Sequence, residues 1–369
     1  MRRAWDFALA GTRSGIVLSL AHRFLSALWW ARLREDLFES RNPGGDMNIL
    51  LSCIGKRGYI ADYFRDALPP GSRIVGTSNT PWTPGFSRCD HGVLLPPIAS
   101  DEYLPHLIET CVHYEVQGLL SLFDPDVCRL APHRATLRER GVMAVLPEAR
   151  AATVAFDKLE AFHVLSGLGI ATPLTVASLD DAHANLASGI FAFPLVVKPR
   201  FGFGSAETYV ARNRAELDVF FHRAPDMLVQ QFLDAEALNV DGLGDLDGRP
   251  VAIVPWRKWL STLGETERAE TIECPELIAL AESLVESLGI IGPFDGDFFR
   301  GADGTLSVLE LNLRFGGGYP VSHMAGADFP RRIVGMIRGE ATQAPVTPYR
   351  RGVTMMKRPE PIAGPVVSP

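Results

Sequence analysis

Near the C-terminal end, "LSVLELNLRF" alternates apolar residues with Glu310, Asn312 and Arg314. Side chains alternate along a strand, so these three are expected on one face, with Leu309, Leu311 and Leu313 turned the other way into a core. The preceding segment "DGDFF" reads as a neighbouring strand whose Asp297 can pair across on the same face. Two carboxylates and an amide oxygen make a hard, all-oxygen set, suited to Mg²⁺ shared with phosphate groups rather than to zinc. Arg314 would add a planar donor fork for a phosphate or an oxyanion. Taken alone, the pattern equally fits a solvated strand face with an ordinary ion pair.

A second stretch, "FPLVVKPRFGFGSAE", carries Lys198 behind four apolar and proline residues and runs into Gly202, Phe203, Gly204 and Ser205. Such a loop lets backbone N–H groups approach phosphates beside a lysine point charge. The Walker spacing is absent, and so is the dinucleotide fingerprint, because the third glycine is missing and a strand follows. Read alone, the stretch is a hairpin turn. Lys158 in "FDKLE" reads alone as a helix-surface lysine, Arg257 and Lys258 as surface charges, and His323 as a loop histidine without an evident partner.

The elements that must position these residues fall into two halves. From Met47, "NILLSCI", "RIVGTS", "HGVLLP" and "GLLSLF" read as strands, alternating with helices in "YIADYFRDAL", "DEYLPHLIETCVHYEV" and "DVCRLAPHRATLRERG". Strand and helix in alternation with short connections predict a doubly wound parallel sheet over 47–150, with its ligand site at the carboxyl ends of the strands near "CIGKRG" and "LFDPD". The second half reads as α+β over 151–345. Asp157 precedes a helix, "MLVQQFL" is a strand, and hairpins turn at Asp247-Gly248 and at Ala302-Asp303-Gly304. "PELIALAESLVESLGI" is an amphipathic helix, and 346–369 reads as a proline-rich tail whose end, "KRPEPIAGPVVSP", is loose. Residues 1–46 read as an extension ahead of a natural start at Met47, poorly ordered, too interrupted by charge for a membrane span or a secretory signal.

Composition bounds the function. The chain has 369 residues, 47% of them hydrophobic, and a formal net charge of −7, which is globular and argues against a partner held through nucleic-acid phosphates. Its 5 cysteines form no Cys-x-x-Cys pair, so free thiols in a reducing cytoplasm are expected rather than zinc or disulfides.

Together, "FDK", "VVKPRFGFGS", "LVQQFLDAE" and "DGDFF…LELNLRFGGG" occur in the order and spacing of the ATP-grasp enzymes. The chain resembles their carbamoyl-phosphate-synthase-like members from Met47 to about Glu340; "WRKWLSTLGETERAET" and "GGGYPVSHMAGADFPRRIVGMIRGE" agree. The resemblance implies a pre-ATP-grasp domain over 47–150, a small lid subdomain over about 170–235 and a C-terminal subdomain over about 236–345. It implies ATP as the nucleotide, with Lys158 and Lys198 flanking it, Gly202, Gly204 and Ser205 as a lid, and Gln230, Gln231, Phe232 and Leu233 as the adenine-reading hinge. Glu236 would meet the ribose. Asp297, Glu310 and Asn312 would hold two Mg²⁺ (or Mn²⁺) ions, with Lys198 and Arg314 acting on the transferring phosphoryl group, and Arg257 and Lys258 facing substrate. Three positions depart from the common pattern: Gln231 and Asp297 stand where glutamate is usual, and Ala237 where a second acid often follows. The implied activity is an ADP-producing carboxylate–amine ligase on small-molecule acids and amines, cytoplasmic, without nucleic-acid or membrane partners and compatible with a homodimer. Carboxyphosphate chemistry of the carbamoyl-phosphate type, or a nucleotide-binding regulator without turnover, are the alternatives.

Overall fold

Asn48–Ser52 forms strand β1, buried along its whole length. A strand apolar on both faces must be central to a covered sheet. It is: β1 sits between β2 (Ile74–Ser78) and β4 (Val116–Ser121), with β3 (His91–Leu94) and β5 (Met143–Ala144) at the edges, all parallel in the order β3-β2-β1-β4-β5. The order reverses between β1 and β4, which opens a crevice at their carboxyl ends. The computed structural model describes residues 45–202, 207–262, 265–340, 348–358 and 360–362. The expectations for residues 1–44, and those for Gly204 and Ser205, lie outside the described residues.

Helices α1 (Gly58–Ala67) and α2 (Tyr103–His113) follow their predicted positions. The single helix expected over "DVCRLAPHRATLRERG" is instead two, α3 (Asp124–Leu130) and α4 (Arg134–Glu139), parted by a 3₁₀ turn at Ala131–His133. Pro132 lies in that turn; it has no N–H to offer and its ring clashes with the carbonyl four residues back.

The second half is α+β. After α5 (Ala149–Phe156), Asp157 caps α6 (Lys158–Gly167). A four-stranded antiparallel sheet follows, in the order β6-β9-β7-β8: β6 is Thr175–Val176, β7 Leu195–Pro199, β8 Tyr209–Ala211 and β9 Met227–Gln231. Its apolar side, with Leu195, Val197 and Val229, packs against α7 (Leu179–Ala187) and α8 (Arg214–Phe221) in a core of its own. A six-stranded antiparallel sheet completes the chain, in the order β14-β13-β10-β11-β12-β15. Its strands are β10 (Glu236–Gly244), β11 (Pro250–Thr262), β12 (Glu265–Thr271), β13 (Gly292–Arg300), β14 (Leu306–Asn312) and β15 (Thr354–Met356). One face, with Leu238, Val240 and Phe294, buries the apolar stripe of α9 (Pro275–Leu288). Helices α10 (Tyr319–Met324) and α11 (Phe329–Ile337) join the five-stranded sheet to the six-stranded one in a shared core containing Ile49, Leu120, Phe315, Phe329 and Ile337.

The stretch read as a proline-rich tail from 346 includes a strand. Thr354–Met356 adds an edge strand to β12, satisfying backbone groups that would otherwise face solvent. Among the described residues, no helix is long and apolar enough to cross a membrane.

Candidate active site

Between the two antiparallel sheets lies a cleft of about 220 Å³. Gln230, Gln231, Phe232 and Leu233 form one wall; Phe299, Leu309 and Glu310 form the other, and Lys158, Lys198 and Gly202 reach in between. Thus eight residues named from sequence meet in one place: Lys158, Lys198, Gly202, the four of the 230–233 segment, and Glu310. Gln230 is held by a 2.8 Å bond from its Nε2 to Thr175 Oγ1, while Gln231 is exposed to the cleft.

The two lysines converge because of a residue that sequence reading treated only as a helix cap. The Asp157 carboxylate accepts from the N–H groups of Leu159 and Glu160 and, at 2.7 and 2.6 Å, from Nε and Nη2 of Arg200. Burial opposes that charge, but Arg200 and the backbone donors hold the carboxyl below the usual carboxylate range. This pair fixes the start of α6 against the end of β7, which sets Lys158 beside Lys198. Lys158 Nζ donates to Gly202 O at 2.8 Å and lies 3.9 Å from Glu310 Oε1. Burial pulls Lys198 down to about 8, with Glu310 pulling the other way. Burial also raises Glu310 above its ordinary value, against Lys158.

Strand β14 does not alternate as expected. Asp297 pairs with Glu310 and Phe298 with Val308, so Leu309 is the extra residue of a β-bulge. Val308 and Leu311, three positions apart, face the core, and Leu309 lines the cleft with Glu310 instead of pointing away from it. The bulge corrects the predicted facing of Leu309; Leu311 and Leu313 are in the core. Asp297 stands directly across from Glu310, and Asn312 directly across from Asp295. Asp297 Oδ1 accepts from Asn239 Nδ2 and, at 3.3 Å, from Lys258 Nζ. Burial, reinforced by Asp297, pushes Asp295 up to about 6. Burial works to lower Lys258, yet Asp297 and Asp295 hold it above the ordinary lysine range.

Among the described residues, no group of three or more His, Cys, Asp and Glu is arranged to hold a metal by itself. The donor chemistry of Asp297, Glu310 and Asn312, two carboxylates and an amide on adjoining strands, fits a magnesium ion that completes its shell with phosphate oxygens. The flanking lysines fit the same polyanion.

Arg314 is buried and already engaged. Its Nε donates to Asp124 Oδ2 at 3.0 Å, and its Nη1 to Phe315 O at 3.1 Å and Asp295 Oδ2 at 3.5 Å. Asp124 opens α3, so this arginine ties the carboxyl edge of the first sheet to the polar face of the third. Nearby, Arg57, from the loop after β1, donates to Leu122 O, Phe315 O and Glu265 Oε1; Lys357 donates to Glu265 Oε2 at 3.0 Å and to Gly317 O at 2.7 Å. Sequence reading missed the roles of Asp157, Arg200 and Lys357; Glu265 lies in the "TLGET" segment expected on the substrate side. Arg57 and Asp124 lay inside the two strand-end segments expected to hold the ligand, which was a usable signal. Glu236 is not in the cleft wall; it pairs with Arg257 and Arg300. His323 stacks on Tyr63 with ring centroids 3.8 Å apart, a packing role.

The glycine run 316–318 is where backbone presses on this polar face. A Cβ at Gly316 would meet Asp295 at 2.7 Å, one at Gly317 would meet Glu265 at 2.8 Å, and one at Gly318 would meet the Trp256 ring at 2.3 Å.

Comparison with known proteins agrees with this architecture. The family described as "PylC-like, N-terminal domain" matches residues 49–145, and that described as "ATP-grasp in the biosynthetic pathway with Ter operon" matches 223–358. A D-alanine–D-alanine ligase of Marinomonas sp. (strain MWYL1) is 29% identical over 179 residues, 43% of this chain; the match spans 55% of that relative, little more than half its length. The biotin carboxylase domain of Hydrogenobacter thermophilus 2-oxoglutarate carboxylase has a similar fold, with TM-score 0.66 at 16% identity over 83% of this chain and 73% of that one. So does an L-amino acid ligase from Bacillus licheniformis, with TM-score 0.61 at 20% identity over 79% of this chain and 74% of that one. With a parallel α/β domain leading into two antiparallel sheets that enclose a lysine-lined cleft, the chain has an architecture similar to these enzymes, and its residues 223–358 match an ATP-grasp family.

Proposed function

We propose that this chain is an ATP-dependent carboxylate–amine ligase. The observation that carries the reading is the convergence of Lys158, Lys198 and Glu310 in one cleft walled by the 230–233 segment. Carboxylates are poor electrophiles, and phosphorylating one gives an acyl phosphate that an amine can attack with loss of phosphate. That transfer is mainly positioning and charge neutralisation. Lys158 and Lys198 bind and orient the ATP phosphates, and the 230–233 segment reads adenine, with Gln231 as an acceptor for its amino group. Gly202, at the cleft, lets backbone approach the phosphates. Arg314, aimed by Asp124 and Asp295, steadies the transferring group. Asp297, Glu310 and Asn312 hold Mg²⁺, which supplies charge neutralisation of the triphosphate when bound. Arg257 and Lys258 spend their charge on Glu236 and Asp297, so they orient these acids rather than meet the substrate. The name of the Marinomonas relative supports a carboxylate and an amine as substrates.

ADP release measured against paired acids and amines tests the proposal: release should require both partners and Mg²⁺. The engagement of Asp297 by Lys258 favours one competing reading, a nucleotide-binding regulator without turnover. ATP binding with ADP release that stays flat across the panel would establish that reading instead.

A further inference from the structure

A second cleft, of about 260 Å³, opens at the carboxyl edge of the five-stranded sheet. It is lined by residues at and after the ends of β1, β2 and β3, together with Tyr103 of α2 and Phe123 from after β4. Its rim and walls include Thr77, Asn79, Leu95, Ile98, Tyr103 and Phe123, and no residue lining it is charged. Cys53, at its base, holds a left-handed backbone with φ of 54°.

Behind this neutral lining lies a carboxylate. Asp126 is 0% exposed. Its Oδ1 accepts from Tyr103 OH at 2.5 Å, and its Oδ2 from Ser121 Oγ at 2.7 Å. The side chains that hydrogen-bond it are hydroxyls and a thiol, and among the described residues no ion pair to it forms. Burial accordingly pushes its carboxyl above the usual range, against those hydrogen bonds. An acid buried without a counter-charge lowers stability, and a purely structural tie between β1, β4 and α2 does not need one.

The hydrogen bonds have a direction. Because Tyr103 OH gives its proton to Asp126, it must accept from Ser52 Oγ, 2.9 Å away. Ser52 in turn accepts from Thr77 Oγ1 at 3.3 Å. Thr77 also accepts from the backbone N–H of Cys53, at 3.3 Å. The chain of hydroxyls therefore runs from Thr77, which lines the cleft, inward to the acid, and it leaves the buried Thr77 hydroxyl one lone pair unused. Asn79, exposed at the rim, offers an amide oxygen beside it.

We propose that this cleft binds a primary ammonium group on a short aliphatic stem, with Thr77 and Asn79 as direct acceptors and Asp126 as the counter-charge acting through Tyr103 and Ser52. Leu95, Ile98 and Phe123 take the methylenes. Phosphate or carboxylate ligands are disfavoured, since nothing lining the cleft is cationic. Binding of the amine does not depend on the ligase reading; only its purpose does, namely seating a second, amine-bearing arm of a substrate whose reacting end lies at the nucleotide cleft. Phe123 in this cleft and Asp124, which holds Arg314, are consecutive residues.

The test is calorimetric titration of the full chain, without nucleotide, with 1-aminopentane, pentan-1-ol and pentanoate. Saturable binding of the amine alone is expected, weakened at least tenfold by Asp126→Asn and by Thr77→Val. Both variants should keep the wild-type thermal shift with Mg²⁺-ATP. No saturable amine binding, equal binding of pentanoate, or unchanged amine affinity in the variants would overturn the proposal. Should Asp126→Asn fail to fold, Thr77→Val decides alone. Saturable amine binding in a chain that ligates no acid–amine pair would support the cleft while removing the ligase reading.

Discussion

Lys198 and Glu310 show how one cleft moves two opposite charges toward neutrality. Each is buried, and burial penalises the charged form of both. Without nucleotide, Lys198 releases its proton near pH 8, whereas triphosphate charge beside it would restore the proton. Nucleotide affinity should therefore fall as pH rises from 7 to 9, approaching tenfold per unit above pH 8, with proton uptake on binding. Calorimetry in buffers of different ionisation enthalpy measures this uptake; Lys198→Arg should abolish it. Glu310→Gln should lower Mg²⁺-dependent turnover by hundreds-fold, about 3–4 kcal/mol in barrier. The fold should survive, because Val308 and Leu311 hold β14 from its other face. Undiminished turnover in a folded Glu310→Gln protein would move the metal site elsewhere.

Among the elements, the bulge in β14 and the glycine run after it shape the polar face. The bulge turns Leu309 and Glu310 to the same side, so one wall of the cleft carries an apolar residue next to an acid. The glycines then cross the face at a distance no side chain would permit. Gly318→Ala places a methyl 2.3 Å from the ring of Trp256, itself 1% exposed and unable to swing away. Destabilisation of about 1–3 kcal/mol is expected, read as a lower midpoint in chemical denaturation. A neutral result would mean the segment 316–318 is free to lift from the sheet.

Between the five-stranded and six-stranded sheets, two arginines and a lysine add polar ties beside the shared apolar core. Glu265 on β12 receives Arg57 from the first sheet's loop and Lys357 from the residue after β15. Burial opposes its charge, but these two cations hold Glu265 below its ordinary range. Its contribution to stability is present above the unfolded value of 4.5 and is lost as pH falls through the lower folded value. Glu265 and Lys357 remain 22% and 20% exposed, which limits their pair to about 1 kcal/mol in a double-mutant cycle. Glu265→Ala should destabilise more than Lys357→Ala, because it leaves two cations facing each other. Equal losses would show that Arg57 is anchored by its bonds to the Leu122 and Phe315 carbonyls alone.

What the sequence determined is local and periodic. The continuous apolar run of β1 marked a covered parallel sheet, the hairpin turns appeared at Asp247-Gly248 and Ala302-Asp303-Gly304, and Lys198 and Glu310 stood out by their positions on apolar strands. Those signals depend on a few neighbouring residues, so they survive without knowledge of the fold. Tertiary structure decided the partners. Arg314 meets Asp124, 190 residues away; Asp157 meets Arg200; and Asp126 meets hydroxyls. Periodicity carries no information about which strand or loop arrives opposite a charge, and only the packed chain fixes whether that charge is paired, buried or free to meet a ligand.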